Sequence, residues 1–157
     1  MAKSTRATRF LAEAGIAHQV HSYDYAPDGA RVGLQAADAL GEDPARVLKT
    51  LMIEIDDRPA CALLPSDREL SMKKVAAALG AKSARMMKPA DAERITGYHV
   101  GGISPFGQKR RLPVAIEAAA MGEPLVYING GQRGLQMRLD PRDAVKLLAA
   151  TVAEIVA

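Results

Sequence analysis

The sequence predicts an α/β fold, in which a single domain over residues 1–157 is built on a mixed β-sheet flanked by helices. Three observations lead to this prediction. Segments with helical periodicity alternate with segments of strand character along the chain. Two apolar strands follow each other in the middle of the sequence. No repeat, linker or low-complexity segment divides the 157 residues, a length near that of one globular domain.

The N-terminal half is predicted to alternate between helices and strands. Its elements, in order, are a helix over 4–14, a strand over 18–25, a helix over 34–40, a short helical turn after Asp43-Pro44, and strands over 49–56 and 60–64. The apolar side of the first helix consists of Ala7, Phe10, Leu11 and Ala14. Because Asp57-Arg58-Pro59 is a tight connection, the last two strands should form an antiparallel hairpin.

The C-terminal half is predicted to contain helices, further strands and a closing helix. These elements are helices over 71–79 and 90–95, strands over 112–116, 124–129 and 135–139, and a final helix over 141–149. Ser71 and Asp140 have side chains suited to capping helix N-termini. The segment 96–107, TGYHVGGISPFG, has four glycines and no charge, and a loop of this length is unusual within a compact domain.

Composition excludes several classes of protein. The single cysteine, Cys61, excludes a disulfide scaffold and a cysteine-based zinc site. No uncharged apolar run approaches the about 18 residues that span a bilayer, and Glu13 interrupts the only N-terminal stretch that could imitate a signal peptide. We therefore expect a soluble, cytoplasmic protein without a membrane partner. The net charge of +3 suits a polyanionic partner but does not identify one.

The chain has no recognisable protein nucleophile. It lacks a G-x-S-x-G elbow, a Walker loop and a dinucleotide-binding glycine motif. His18 and His21 should point to opposite faces of a strand, so they make a poor metal site. Cys61 lies in an apolar strand, where burial would raise its pKa. The sequence therefore implies neither a metal nor another cofactor.

Two features remain as candidates for chemistry. Lys49 begins an apolar strand, so it is either a strand-end lysine with its charge in solvent or a cation that binds a phosphate or carboxylate. Gly101 and Gly102 either form a simple turn or present backbone N–H groups to a substrate carbonyl.

Four segments together resemble the YbaK family, relatives of the editing domain inserted in bacterial prolyl-tRNA synthetases. The segments are RVLKTL, SMKKVAAALGAK, TGYHVGGISPFGQKRRLP and NGGQRGL. The similarity runs over nearly the whole chain. The resemblance implies a freestanding trans-editing hydrolase that cleaves the ester of a mischarged aminoacyl-tRNA, typically cysteine on proline tRNA, on a mixed sheet flanked by helices and without a metal.

The resemblance also implies roles for individual residues. Lys49 would hold the terminal phosphate or ribose of the tRNA, and Thr50 would line the same pocket. Gly101 and Gly102 would stabilise the charge that develops on the aminoacyl oxygen. The other residues that the resemblance places at the substrate are Tyr23, Ile103 and Ser104, together with the three positions described next.

Three positions depart from the pattern of the cysteine-specific members. Val32 replaces an expected phenylalanine, Asn129 an expected serine and Gln136 an expected aspartate. An amide at 136 cannot provide the charge that would pair with the substrate's α-ammonium group. Cysteine, serine, alanine or another small amino acid therefore all remain open as the amino acid that is removed.

The implied partners are the acceptor end of a tRNA, with tRNA(Pro) as the expected one, and prolyl-tRNA synthetase. In the cysteine-specific members the substrate's own thiol is thought to attack its carbonyl; a substrate without a thiol would need water or a ribose hydroxyl. Three basic groups could flank the acceptor end: Lys3, Arg6 and Arg9; Lys73 and Lys74; and Lys109 to Arg111. Aromatic residues are only 4%, which argues against a general single-strand binder, and DNA is not expected as a partner.

The rival hypothesis is a non-catalytic module. It would bind an aminoacyl-adenosine-like ligand in the same pocket or dock on a tRNA synthetase. Asn129 and Gln136 favour this alternative, because they stand where the cysteine-specific members are expected to have a serine and an aspartate.

Overall fold

The computed structural model of the chain describes residues 4–25 and 32–157, and the side chains of residues 32 and 33 lie outside that description. The helices are α1 Arg6–Glu13, α2 Val32–Leu40, α3 Met72–Ala78, α4 Pro89–Thr96 and α5 Pro141–Leu148. The strands are β1 His18–Ser22, β2 Leu48–Ile55, β3 Arg58–Pro65, β4 Ala84–Met86, β5 Val114–Glu117, β6 Val126–Asn129, β7 Leu135–Leu139 and β8 Thr151–Ala153. Short 3₁₀ turns cover Pro44–Arg46 and Ala118–Gly122.

The strands form two sheets. The larger sheet has the order β4-β2-β3-β5-β8, with parallel pairing of β5 to β3 and β8 and antiparallel pairing elsewhere. This confirms the predicted α/β fold with a mixed sheet. The sequence did not predict the second sheet, which is antiparallel with the order β1-β7-β6. A single bridge between Val47 and Tyr127 joins the start of β2 to β6, so the two sheets meet beside the N-terminal end of β2.

The central strand β3 is buried on both faces. Cys61 and Leu63 pack into the larger apolar cluster with α1, whereas Ala62 and Leu64 pack into a second cluster with α3. Such two-sided burial explains the continuous apolar run in the sequence. Burial raises the pKa of the Cys61 thiol to about 12, as expected for a core cysteine.

The predicted helix ends and the hairpin are confirmed. The Ser71 hydroxyl accepts a hydrogen bond from Lys74 N (3.2 Å), and the Asp140 carboxylate accepts one from Arg142 N (2.8 Å). β2 and β3 form the expected antiparallel hairpin, but its turn lies one residue earlier than predicted. Asp56 and Asp57 both have positive φ (46° and 64°), which suits the right-handed twist of a two-residue hairpin turn.

Three local predictions were wrong. β4 and β8 were not predicted, because three residues are too few to show a strand periodicity, and so α5 is not the last element. The buried side of α1 includes Thr8, whereas Phe10 is 36% exposed and Ala14 is also exposed. Thr8 is buried because it completes the helix cap, with its Oγ1 accepting from Thr5 N at 2.8 Å.

Candidate functional site

A cavity of about 380 Å³ opens between the N-terminal part of β2, the start of α4 and the glycine loop over 97–107. Most of its wall is apolar, and a few polar groups converge on it, which is typical of a ligand pocket. Its lining residues are Leu48, Lys49, Thr50, Leu51, Met52, Met86, Met87, Pro89, Ala92, Val100, Gly101, Ile103, Asn129 and Gln136.

The edge of β2 explains why five consecutive residues of one strand line this cavity. β4 pairs only with residues 53–55 of β2, and Met87 N then donates to Met52 O at 3.1 Å. Peptide groups alternate between the two edges of a strand, so the Thr50 peptide points to the same side as Met52, beyond the end of β4. The first half of β2 therefore presents its backbone edge to the cavity.

Lys49 and Thr50 both belong to this half of β2. Lys49 is half-buried and lines the cavity, where an ammonium group can bind an anionic part of a ligand. Thr50 Oγ1 is buried and has no hydrogen-bond partner in the described part of the chain. A buried hydroxyl without a partner is uncommon, because leaving it unsatisfied costs about 1–3 kcal/mol.

Two more unpartnered oxygens lie on the β7 side of the site. Gln136 is 2% exposed, and neither its Oε1 nor the Tyr23 hydroxyl makes a hydrogen bond within the described residues. Burial raises the pKa of Tyr23; the nearby Gln136 amide offsets part of this shift, although the two groups do not reach hydrogen-bond geometry. Tyr23 itself is fixed through its backbone N–H, which donates to Gly134 O at 2.9 Å.

The glycine loop is held by hydrogen bonds at both ends. The Glu93 carboxylate accepts from Val100 N at 2.9 Å, which lowers the pKa of Glu93. The Tyr98 hydroxyl donates to Phe106 O and so closes the loop on itself. Ser104 is fully buried, and its Oγ accepts from Phe106 N at 3.2 Å. This predicted substrate residue is therefore engaged in the loop and is not part of the cavity lining.

The N–H groups of the loop are not equally available. Gly102 N donates to His99 O at 2.8 Å, and Gly102 lines a neighbouring cavity with Glu93, His99, Gly131, Gln132 and Arg133. By contrast, Gly101 N and Ile103 N have no acceptor among the described residues, and both residues line the main cavity. The structure therefore differs from the expectation that Gly101 and Gly102 act as a pair, since the free N–H groups among the described residues of the loop that line this cavity are those of Gly101 and Ile103.

Asn129 joins the glycine loop to the Gly130-Gly131 turn. Its Nδ2 donates to Gly101 O at 3.3 Å, and its Oδ1 accepts from Gly131 N at 2.7 Å. The two bonds use separate atoms of the amide, whereas a serine would have to donate and accept through one hydroxyl oxygen. The side chain at 129 thus fixes the position of Gly101, a contact that the sequence did not indicate.

The structure brings together most of the residues singled out from the sequence. Lys49, Thr50, Gly101, Ile103, Asn129 and Gln136 all line one cavity, with Tyr23 adjacent to Gln136. The side chain of Val32 lies outside the described residues. Sequence reasoning missed the apolar wall that includes Met52, Met86 and Met87, because two of these residues lie on or after the unpredicted β4.

Within residues 4–25 and 32–157, no group of three or more histidine, cysteine, aspartate or glutamate side chains is arranged to hold a metal ion.

No helix among the described residues is long and apolar enough to cross a membrane.

The family model described as "Aminoacyl-tRNA editing domain" matches residues 27–147. The chain belongs to this family. A relative from Enterococcus faecalis, named "Putative Cys-tRNA(Pro)/Cys-tRNA(Cys) deacylase EbsC", is 30% identical over 154 residues, which cover 98% of this chain and 93% of the relative. The glycine loop and β2 thus belong to a known editing domain.

Larger proteins contain a similar segment. A proline–tRNA ligase from Acidithiobacillus ferrooxidans is 31% identical over 94 residues, which cover 60% of this chain and 16% of the ligase. A crystal structure described as "a putative trans-editing enzyme for prolyl tRNA synthetase" superposes with a TM-score of 0.83 at 24% identity and covers 99% of both chains. This last similarity shows that the editing-domain fold extends over the whole chain.

Proposed function

We propose that this chain is a trans-editing deacylase, which hydrolyses the ester bond of a mischarged aminoacyl-tRNA, with Cys-tRNA(Pro) as the expected substrate. The observation that carries the proposal is one cavity that combines Lys49 with the free N–H groups of Gly101 and Ile103 in an aminoacyl-tRNA editing domain. The E. faecalis relative, named as a deacylase, supports the same activity. Charged tRNA is present in the cytoplasm, where such an enzyme would act.

The proposed mechanism needs no nucleophile from the protein. Lys49 binds the terminal phosphate or ribose and so places the aminoacyl ester against the glycine loop. When a cysteinyl thiol loses its proton and attacks its own carbonyl carbon, negative charge develops on the carbonyl oxygen. Backbone N–H groups then stabilise that oxygen, and one well-placed donor contributes about 2.7–4 kcal/mol to such a step. Collapse breaks the ester C–O bond, releasing a thiolactone, and the tRNA hydroxyl takes up the proton.

The fixed loop suits this task. Asn129, Glu93 and the Tyr98 hydroxyl hold the loop before a substrate arrives, so little reorganisation is needed in the transition state. Asn129 is then a positioning residue, because its side chain acts on the Gly101 peptide. A substrate without a thiol would use the same N–H groups, with water or a ribose hydroxyl as the attacking group.

Amino-acid preference follows from the polar groups on the β7 side. Gln136 is neutral, so the α-ammonium group of the substrate meets an amide oxygen there and gains no ion pair. We expect weaker discrimination between cysteine, alanine and serine than a carboxylate at this position would give. Prolyl-tRNA synthetase, as the enzyme that produces mischarged tRNA(Pro), is the expected protein partner.

The test is a panel of tRNAs charged with cysteine, alanine, serine or proline, incubated with the protein while loss of the ester is measured. We expect acceleration for at least one small amino acid and none for proline on its own tRNA. No acceleration for any charged tRNA would overturn the proposal. Tight binding of a non-hydrolysable aminoacyl-adenosine analogue without turnover of the matching ester would instead identify a non-catalytic binding module.

A further inference from the structure

Five cationic side chains lie beside the glycine loop, although about 100 residues separate the two groups in the sequence. This group, called the basic patch below, consists of Arg6, Arg9, Lys109, Arg110 and Arg111. The first two belong to α1 and the others follow the glycine loop, and Arg9, Lys109, Arg110 and Arg111 are all exposed. The segments 4–14 and 107–113 carry these five cations and only one carboxylate, that of Glu13.

Contacts around the ends of the glycine loop bring the two groups together. Arg6 Nη1 and Lys109 Cε lie 2.5 and 3.1 Å from the point that a Cβ on Gly97 would occupy, so both side chains cover the same glycine. The Arg6 guanidinium lies 5.7 Å from the centre of the Tyr98 ring.

The same surface continues along α1. The Phe10 ring stacks on Phe106 at 6.4 Å, and Phe10 shares a small groove with Arg110 and Arg111. The basic patch is therefore one continuous surface, built on α1 and on the segment that leaves the glycine loop.

The charges of the basic patch are not neutralised within the protein. None of its five side chains forms a salt bridge with a carboxylate in the described part of the chain. Elsewhere Arg46, Arg85 and Arg142 each pair with a carboxylate, and the cations that do not, such as Arg58 and Arg68, lie outside this cluster. Neighbouring like charges repel one another unless an anion approaches, so this surface favours a polyanionic ligand.

The position of the basic patch relates it to the cavity. The Thr5 hydroxyl at the start of α1 donates to Gly130 O, in the turn that Asn129 holds. The glycine loop runs from Gly97, under Arg6 and Lys109, to Gly101 at the cavity. A ligand with one end in the cavity can therefore place its next charged groups over the basic patch.

We propose that the basic patch binds the phosphodiester backbone of the substrate RNA next to the 3′ end held in the cavity; this rests on the proposed function. Lys73 and Lys74, which the sequence suggested as a third group, are not part of it. Their helix α3 packs on the cluster at the other face of the larger sheet from α1, and Lys74 Nζ donates to Val156 O at 3.0 Å. This placement supplies a matched control.

The experiment compares two double variants that each remove two positive charges. Arg9→Gln with Arg110→Gln alters the basic patch, and Lys73→Gln with Lys74→Gln alters the two exposed cations of α3 on the other face of the larger sheet. Binding of uncharged tRNA(Pro) is measured over a salt series, because each neutralised phosphate adds about 0.9 to the slope of log K against log salt for a duplex. We expect the patch variant to reduce the slope by about 1.8 and the control variant to leave it unchanged.

A second readout separates this proposal from the proposed function. The ratio of kcat/KM on aminoacyl-tRNA to kcat/KM on a minimal aminoacyl-adenosine ester should fall in the patch variant and not in the control variant. The proposal would be overturned by an unchanged salt slope in the patch variant, or by an equal loss of tRNA affinity in both variants. It would also be overturned if the patch variant lost binding to purified prolyl-tRNA synthetase while its RNA binding stayed intact. If no ester is hydrolysed by the unaltered protein, the proposed function fails while the slope still tests the basic patch.

Discussion

On the glycine-loop side of the cavity the groups without a partner are backbone donors, whereas on the strand side they are buried side-chain oxygens. Of the loop residues that line the cavity, Val100 donates its N–H to Glu93, and the N–H groups of Gly101 and Ile103 have no acceptor in the described structure. The strand side leaves Thr50 Oγ1, Gln136 Oε1 and the Tyr23 hydroxyl unsatisfied. The two sides therefore make different contributions to the same site.

This difference separates two requirements of catalysis. A donor that stabilises developing charge must be in place before the reaction, so the loop is fixed by its own hydrogen bonds. Groups that recognise a substrate must give up hydrogen bonds to water when the substrate binds. While they lack a partner, they lower the free energy of unfolding of the free protein. We thus expect changes on the loop side to reduce kcat, and changes on the strand side to raise KM while stabilising the free protein.

The largest expected effect is that of Lys49→Ala. Removing the cation at the cavity should reduce deacylation by about 100-fold or more, equivalent to about 2.7 kcal/mol in the transition state, because the substrate is no longer held against the loop. Single-turnover deacylation of the preferred aminoacyl-tRNA measures this, with circular dichroism to check folding. Lys73→Ala is the control, and full activity in a folded Lys49→Ala protein would remove the lysine from the mechanism.

Gly101→Ala tests the loop side. Gly101 has φ of 91°, and a Cβ there would lie 2.7 Å from Arg133 Nε, which donates to Val100 O. The strain and the displaced arginine should move the Gly101 N–H and reduce kcat by about 10- to 100-fold with little change in KM. Gly122→Ala is a matched control, since no atom lies within 4 Å of its added Cβ. A change confined to KM would contradict the division between the two sides.

Thr50→Val and Gln136→Met test the strand side. Each replaces a buried group that lacks a hydrogen bond with an apolar group of similar shape, so the free energy of unfolding should rise by about 1 kcal/mol. KM should rise as well. Chemical denaturation and steady-state kinetics measure the two effects. Thr151→Val, at an exposed threonine, should change neither. Destabilisation by the Thr50 and Gln136 substitutions would show that these oxygens are satisfied in solution.

The smallest expected effect concerns Glu93. The Val100 N–H lowers the pKa of this half-exposed carboxyl below its ordinary value of 4.5, with smaller contributions from His99 and Arg133. Its stabilising contribution is therefore present above the unfolded pKa and is lost as the pH falls through the folded pKa. Thermal unfolding between about pH 6 and about pH 3.5 should show a slightly steeper loss of Tm for the unaltered protein than for Glu93→Gln. Parallel curves would contradict this role.

The sequence predicted those parts of the fold that depend on local chemistry. The caps at Ser71 and Asp140 and the apolar hairpin were visible because each has a residue pattern of its own. The residue pattern itself singled out Lys49 and the glycine loop, and the resemblance to editing domains gave them roles; Lys49 and Gly101 lie at one cavity.

Features that depend on geometry could not be predicted. That Gly102 N donates to His99 O, and Gly101 N does not, is set by the turn between them. The double contact of Asn129 arises because β6 ends opposite the loop. The grouping of α1 with residues 109–111, without Lys73, depends on which face of the sheet each helix covers.

The burial of Cys61 has a consequence for the proposed reaction on Cys-tRNA(Pro). Attack by the substrate's own thiol would release a reactive thiolactone within reach of the protein, and an exposed cysteine thiolate would be acylated by it. Cys61 is 1% exposed, and burial raises its pKa to about 12, so it is a shielded thiol at physiological pH. Because it is the only cysteine in the given sequence, the chain offers such a product no accessible thiol. Its activity should therefore be insensitive to thiol-modifying reagents.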